Sequence, residues 1–202
     1  MVHFFVNNVR PYPLIWSLVL AFLFLDATPY AAKIVTVEEI CKNPNPAYAL
    51  TFAYCSNLLN SIPGGAKGAN VDSLAQYTLE VLQSNLTNTV NLLKSLIANS
   101  STSPDLLDVY HICLNNLDDI GGRGQQGALA EIKAIKNGLK QHAYGLVISG
   151  LHDTFFYLRS CTSVDHGTPN REFHDPSLLP QYTGDILKVI GILDAISGYL
   201  FS

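Results

Sequence analysis

Four cysteines, Cys41, Cys55, Cys113 and Cys161, constrain this 202-residue chain more than any other feature, because each pair that bonds brings two separated stretches together. All four follow an N-terminal run of signal-peptide character. Arg10 lies in a polar opening, and Leu14 to Leu25 (LIWSLVLAFLFL) is an apolar block too short to span a bilayer. Residues 1–32 are therefore read as a cleaved signal peptide, and residues 33–202 as one domain. An even number of cysteines in a chain sent to an oxidising compartment reads as disulfides, with three pairings open to four cysteines. Nearest-neighbour pairing, Cys41 with Cys55 and Cys113 with Cys161, suits a local hairpin followed by a clamp between two helices. In the loop-entropy picture the first closure stabilises by about 3 kcal/mol and the second by about 4 kcal/mol.

The stretch Ser103 to Ile120, SPDLLDVYHICLNNLDDI, sets Cys113 into an amphipathic helix. Leu106, Tyr110, Cys113, Leu117 and Ile120 recur at spacings of four and three and share one face, with Asp108, His111, Asn115 and Asp119 on the other. Ser103 is placed to cap this helix, with Pro104 at its first position and Asp105 in its first turn.

Before it, Ala75, Leu79, Leu82, Leu86, Val90, Leu93 and Ile97 mark a long bundle-type helix from Asp72 to about Asn99. After it, the glycine-rich GGRGQQG of Gly121 to Gly127 interrupts the stripe, which resumes one residue out of step as Ala128, Ile132, Ile135 and Leu139. The interruption marks a break, a bulge or a kink. A third stripe runs Tyr144, Ile148, Leu151, Phe155, Leu158, and a fourth runs Ile186, Ile190, Leu193, Ile196, Leu200. No stretch shows strand alternation. The expectation is an all-α protein: an up-down-up-down four-helix bundle preceded by a short helical hairpin closed by Cys41 and Cys55.

Two prolines in the loop Asn43 to Pro46 forbid a continuous helix through that hairpin, and IPGGAKGAN, Ile62 to Asn70, is a linker. The linker lacks the Gly-Lys-Ser/Thr ending and the preceding strand of a phosphate-binding loop.

A search for chemistry returns little. The formal net charge is −4, and loss of the leader removes only Arg10 and Asp26, one charge of each sign. The mildly acidic balance with no Lys/Arg run argues against nucleic acid as a partner and more weakly for a basic protein, and no membrane association is expected once the signal is cleaved. No two of His111, His142, His152, His166 and His174 sit four residues apart on a helix, and His-Glu-x-x-His, Cys-x-x-Cys and Gly-x-Ser-x-Gly are all missing. Asp118 and Asp119 point in different directions around their helix, which suits a solvated face rather than an acid pair. The expectation is a protein that is not an enzyme and has no catalytic residues, metal or cofactor. Two sequons, Asn85-Leu86-Thr87 and Asn99-Ser100-Ser101, make Asn85 and Asn99 glycosylation candidates.

The order of parts resembles the plant invertase and pectin methylesterase inhibitor domain across essentially the whole chain beyond the leader. The resemblance rests on the proline-containing cysteine hairpin CKNPNPAYALTFAYC, a long helix, a mid-helix cysteine followed by an acidic patch (CLNNLDDI), a cysteine after a small hydroxyl residue (Ser160-Cys161), and a terminal apolar helix. Two departures are GGRGQQG, where the family usually has one smooth helix, and the long aromatic approach GLHDTFFYLRSC.

The resemblance implies a secreted cell-wall (apoplastic) inhibitor of a carbohydrate-active enzyme. Pectin methylesterase is the first expected partner and acid invertase the alternative; a non-inhibitory helical scaffold is a third reading. Inhibitors of acid invertase share a Pro-Lys-Phe tripeptide before the last helix, where this chain has Arg171-Glu172-Phe173 and matches only the phenylalanine. Arg171, Glu172 and Phe173 are the first candidates for partner contact, and the polar face of His111, Asn115 and Asp119 is the second.

Overall fold

The computed structural model describes residues 34–42, 44–99, 102–118, 127–161 and 175–200. The signal-peptide reading, Ile120 and most of GGRGQQG lie outside the described residues. Seven α-helices occur among those described: α1 Val37–Cys41, α2 Phe52–Asn60, α3 Val71–Ala98, α4 Pro104–Leu117, α5 Ala128–Lys140, α6 Tyr144–Arg159 and α7 Leu179–Leu200. A 3-10 turn, Pro46–Tyr48, lies between α1 and α2. The only extended pairing among the described residues is an isolated bridge between Ile34 and Asn70.

Most helix starts follow from local side-chain chemistry. Thr36 and Glu39 form a capping box at α1, and the Thr51, Asn70 and Ser103 side chains accept from the third backbone N–H of α2, α3 and α4. Pro104 opens α4, where its missing N–H costs nothing. Gly64, Gly65 and Gly68 sit in the linker at φ +87°, +82° and +82°, a region that other residues enter only with strain. That geometry is the physical reason for the glycines of IPGGAKGAN.

Three hydrogen bonds, two at the end where α3 starts and one along its length, show the bundle's directions. The Tyr144 hydroxyl donates to Asp72 Oδ1 at 3.3 Å, which places the starts of α3 and α6 together. Lys136 Nζ donates to Gln83 Oε1 at 2.6 Å, as α5 descends alongside α3. The Tyr199 hydroxyl donates to the Glu39 carbonyl at 3.2 Å, so α7 ends beside α1, near the start of α3. Helices α3, α5, α6 and α7 thus form the up-down-up-down bundle.

The second long helix of the sequence reading is split. Asp118 after α4 and Gly127 before α5 both have extended backbone, so the interruption is a break. The short α4 packs across the end of α3, and Lys94 of α3 pairs with Asp118 at 3.0 Å.

The four stripes fill the core. Leu79, Leu82, Leu86, Leu93, Leu117, Ile132, Ile135, Leu158, Ile186 and Ile196 are at most 1% exposed. Helix α7 goes further and buries Val189, Ile190, Gly191, Ile192 and Leu193 in succession. One face of a helix cannot hold five consecutive residues; the disulfide-closed hairpin covers the second side. Tyr48 of the hairpin packs on Gly191 and meets Phe155 edge-on at 5.7 Å, and the Lys188 ammonium lies 5.1 Å from the centroid of the Tyr54 ring. The disulfides join Cys41 to Cys55 and Cys113 to Cys161, with Cα atoms 5.7 Å and 4.7 Å apart.

A Cβ added at Gly191 would stand 2.8 Å from Tyr48 Cβ, a contact that neither rotamer change nor side-chain flexibility relieves. Gly191→Ala should therefore destabilise by about 1–3 kcal/mol. Gly184, in the same helix with nothing within 4 Å of its added Cβ, provides the opposite case. Gly184→Ala should stabilise by about 0.5–1 kcal/mol through helix propensity. Melting temperatures of the two variants that moved in the same direction would refute this account of the hairpin contact.

Half-buried Glu131 on α5 has its carboxyl pushed above the usual range, chiefly by burial and secondarily by Asp153 of α6. The resulting penalty on the fold is absent well below the unfolded-state value. It builds as pH rises through the window up to the raised folded-state value, and is full above it. Glu131→Gln should match the parent chain at acid pH and melt higher at neutral pH. Thermal scans across that range that stay parallel would show that the carboxyl has no effect on stability.

Candidate docking surface

Helix α4 carries one of the two predicted contact regions and holds both ends of the other. Its inward side buries Val109, Tyr110, Cys113 and Leu117. Cys113 bonds to Cys161, and Asn116 Nδ2 donates to Ser160 Oγ at 2.7 Å, so the end of α6 is tied to α4. One turn earlier, the Tyr110 hydroxyl donates to Asp175 Oδ1 at 2.8 Å, which ties the approach to α7 to the same helix. The residues flanking segment 162–174 are therefore both fastened to α4, at positions three apart on its buried side.

Asp175 is only 8% exposed. Its Oδ1 also accepts from the Ser177 N–H at 2.8 Å, while Oδ2 is buried without a hydrogen-bond partner among the described residues. Burial, more than the neighbouring carboxylate, pushes the Tyr110 phenol up, so the hydroxyl remains a donor to Asp175 throughout the physiological range. A charge-assisted bond in such a setting is among the stronger ones available to a fold.

The opposite side of α4 is exposed at Asp105, Asp108, His111 and Asn115. His111 and Asn115 are one turn apart, so the structure brings these two candidates together. Asp119, Arg171, Glu172 and Phe173 lie outside the described residues. Two carboxylates, an imidazole and an amide on a rigid helix can hydrogen-bond a partner and favour a basic patch on it. Among the described residues no three His, Cys, Asp or Glu side chains are grouped so that they could hold a metal ion.

The sequence stripes imply that large apolar side chains on the bundle faces are committed to the seams. The structure corrects this: Phe156 and Leu146 on α6 are 63% and 60% exposed, and Leu178 before α7 is 56% exposed. Phe156 lies off the stripe Tyr144, Ile148, Leu151, Phe155, Leu158, so its exposure was legible from spacing alone. Its neighbour Phe155 is half-buried against Tyr48.

The two sequons differ in setting. Asn85 is half-buried in the middle of α3, where the Thr87 hydroxyl bonds back to the Gln83 carbonyl, whereas Asn99 is exposed just past the end of that helix.

No family model matches the sequence, and no curated protein matches it. Among solved structures, a pectin methylesterase inhibitor from Arabidopsis thaliana has a TM-score of 0.54 and 18% identity, over 75% of this chain and 89% of that one. Mutant form A of a pectin methylesterase inhibitor from Arabidopsis has a TM-score of 0.59 and 20% identity, over 80% of this chain and 95% of the other. At these identities the likeness is one of fold. Both of these neighbours are inhibitors of an enzyme.

Tyr110→Phe keeps the ring in place and removes the donor, leaving the buried Asp175 carboxylate with the Ser177 N–H alone. The expected loss is about 1.5–3 kcal/mol, the range for a hydrogen bond to a charged group. The double variant Tyr110→Phe with Asp175→Asn should recover part of it, because the uncompensated charge is gone. Urea unfolding of the three proteins checks both statements.

Proposed function

We propose that this chain is a secreted inhibitor of a cell-wall carbohydrate-active enzyme, and that its target is pectin methylesterase. The observation that carries the reading is the shared fold: both solved structures described above are pectin methylesterase inhibitors and match three quarters or more of this chain. The apolar leader, the two disulfides and the sequons at Asn85 and Asn99 support passage through the secretory route to the apoplast.

Inhibition on this reading is stoichiometric docking that occludes the enzyme's substrate cleft, with no bond made or broken by the inhibitor. The contact surface is the exposed side of α4 with His111 and Asn115, extended by Asp119 and by Arg171, Glu172 and Phe173 of the segment whose flanks α4 holds. Aromatic residues and arginine are among the types that most often anchor such interfaces. The phenylalanine shared with the tripeptide of acid-invertase inhibitors keeps acid invertase as the second target.

The purified chain without its leader should inhibit pectin methylesterase with one-to-one stoichiometry at the acidic pH of the cell wall, and leave acid invertase unaffected. Phe173→Ala should weaken inhibition by about 1–3 kcal/mol, roughly 5- to 150-fold, at unchanged melting temperature. Inhibition of invertase alone would transfer the reading to the second target. Inhibition of neither, by a protein that melts cooperatively, would leave a non-inhibitory helical scaffold.

A further inference from the structure

The groove between α3 and α5 plays no part in that docking, and its lining has a distinct chemistry. Two lysines of α5, Lys136 and Lys140, line it. Their i, i+4 spacing puts them on one side of the helix, one turn apart over a rise of about 6 Å. Glu131, the one acid of α5, turns instead toward α6, where its Oε2 would lie 3.6 Å from a Cβ added at Gly150.

Opposite the lysines, α3 presents amides and hydroxyls: Gln83, Ser84, Thr87 and Asn88, with Glu80, around an open cleft of about 350 Å³. A second cleft of about 150 Å³ continues it along Gln76, Glu80, Leu139 and Lys140, and the two share Glu80 and Lys136. Gln83 accepts a hydrogen bond from Lys136 Nζ at 2.6 Å and so holds that ammonium at the wall between the helices.

From this lining we infer that the α3–α5 groove binds a linear acidic oligosaccharide, a chain of uronic acids. Its carboxylates would meet Lys136 and Lys140. Its ring hydroxyls would meet the Gln76, Gln83 and Asn88 amides and the Ser84 and Thr87 hydroxyls. No aromatic ring lines either cleft, so a neutral sugar has no face to stack on, and the carboxylates supply the attraction. A peptide is a poorer fit. The walls are helices, whose backbone offers no strand edge, and Leu139 is the sole apolar side chain of the lining, so there is no apolar trough for a partner helix. Glu80 opposes an anion and limits affinity, and that opposition gives the test a sign. The inference stands whether or not the chain inhibits an esterase.

The experiment is calorimetric titration of the purified chain at low salt with decagalacturonate, with the same decamer fully methyl-esterified, and with polyglutamate of matched charge. Decagalacturonate should bind, more weakly as salt rises. Lys136→Ala combined with Lys140→Ala should lower the affinity at least ~10-fold, and Glu80→Gln should raise it about 2- to 5-fold, for charges meeting near a protein surface. Far-UV circular dichroism and melting temperatures unchanged across the variants establish that folding is intact. The inference is overturned if the esterified decamer binds equally well, if the double lysine variant binds as the parent does, or if polyglutamate binds as tightly as the uronate, which would show a surface open to any polyanion.

Discussion

The burial of α7 on two sides at once is the constraint on which the rest of this structure depends. Its stripe of Ile186, Ile190, Leu193 and Ile196 closes the bundle against α3 and α6, while Gly191, off that stripe, lies under Tyr48 of the hairpin. Left open to water, that outer side of the helix would be an exposed apolar patch. The N-terminal hairpin covers it, and the Cys41–Cys55 bond keeps the hairpin short and closed while Tyr48 seats on the bare backbone of Gly191. A segment too small to hold a core of its own is thereby made part of a larger one.

At the other end of the bundle α4 has an analogous role with different chemistry. A helix of 14 residues is marginal alone, and α4 is held by the Cys113–Cys161 disulfide, the Tyr110–Asp175 hydrogen bond, the Asn116–Ser160 bond and the Lys94–Asp118 ion pair. The two strongest of these ties grip the residues on either side of segment 162–174. A sequence stretch rich in polar residues and proline is thus delivered to one helix at both ends, and the exposed side of that helix is polar. This arrangement gives the exposed side chains of α4 rigid support from behind.

The faces of the bundle are chemically distinct. The exposed side of α4 is acidic with one imidazole, the outer side of α6 carries Phe156 and Leu146, and the cleft between α3 and α5 is lined by lysines, amides and hydroxyls. Up-down packing of amphipathic helices leaves such faces free to differ, since the core uses only one stripe of α3, α5 and α6. A net charge of −4 conceals this, because the basic residues of α5 are outweighed by acids elsewhere.

The sequence by itself showed the apolar stripes, the capped start of α4, an interruption at GGRGQQG and the expected nearest-neighbour pairing of the cysteines, while the structure decided that the interruption is a break and that α7 begins as early as Leu179. The former are local: a stripe at spacings of three and four, a Ser-Pro-Asp start, a run of glycines, and cysteines near enough in sequence that nearest neighbours meet. The candidate contact residues His111 and Asn115 were legible for the same reason, as the polar complement of an apolar stripe. Periodicity records that a helix has an apolar face; it does not record how many neighbours will cover it. That is why the five consecutive buried residues of α7 became intelligible only with the hairpin in place. It is also why Asp175, 65 residues from Tyr110, gave no sign of its partner. The cleft of Lys136 and Gln83, residues 53 apart, likewise exists only because α5 descends beside α3. Tertiary structure alone decided these contacts, since each depends on which helix packs beside which, and long-range packing leaves no period in the chain.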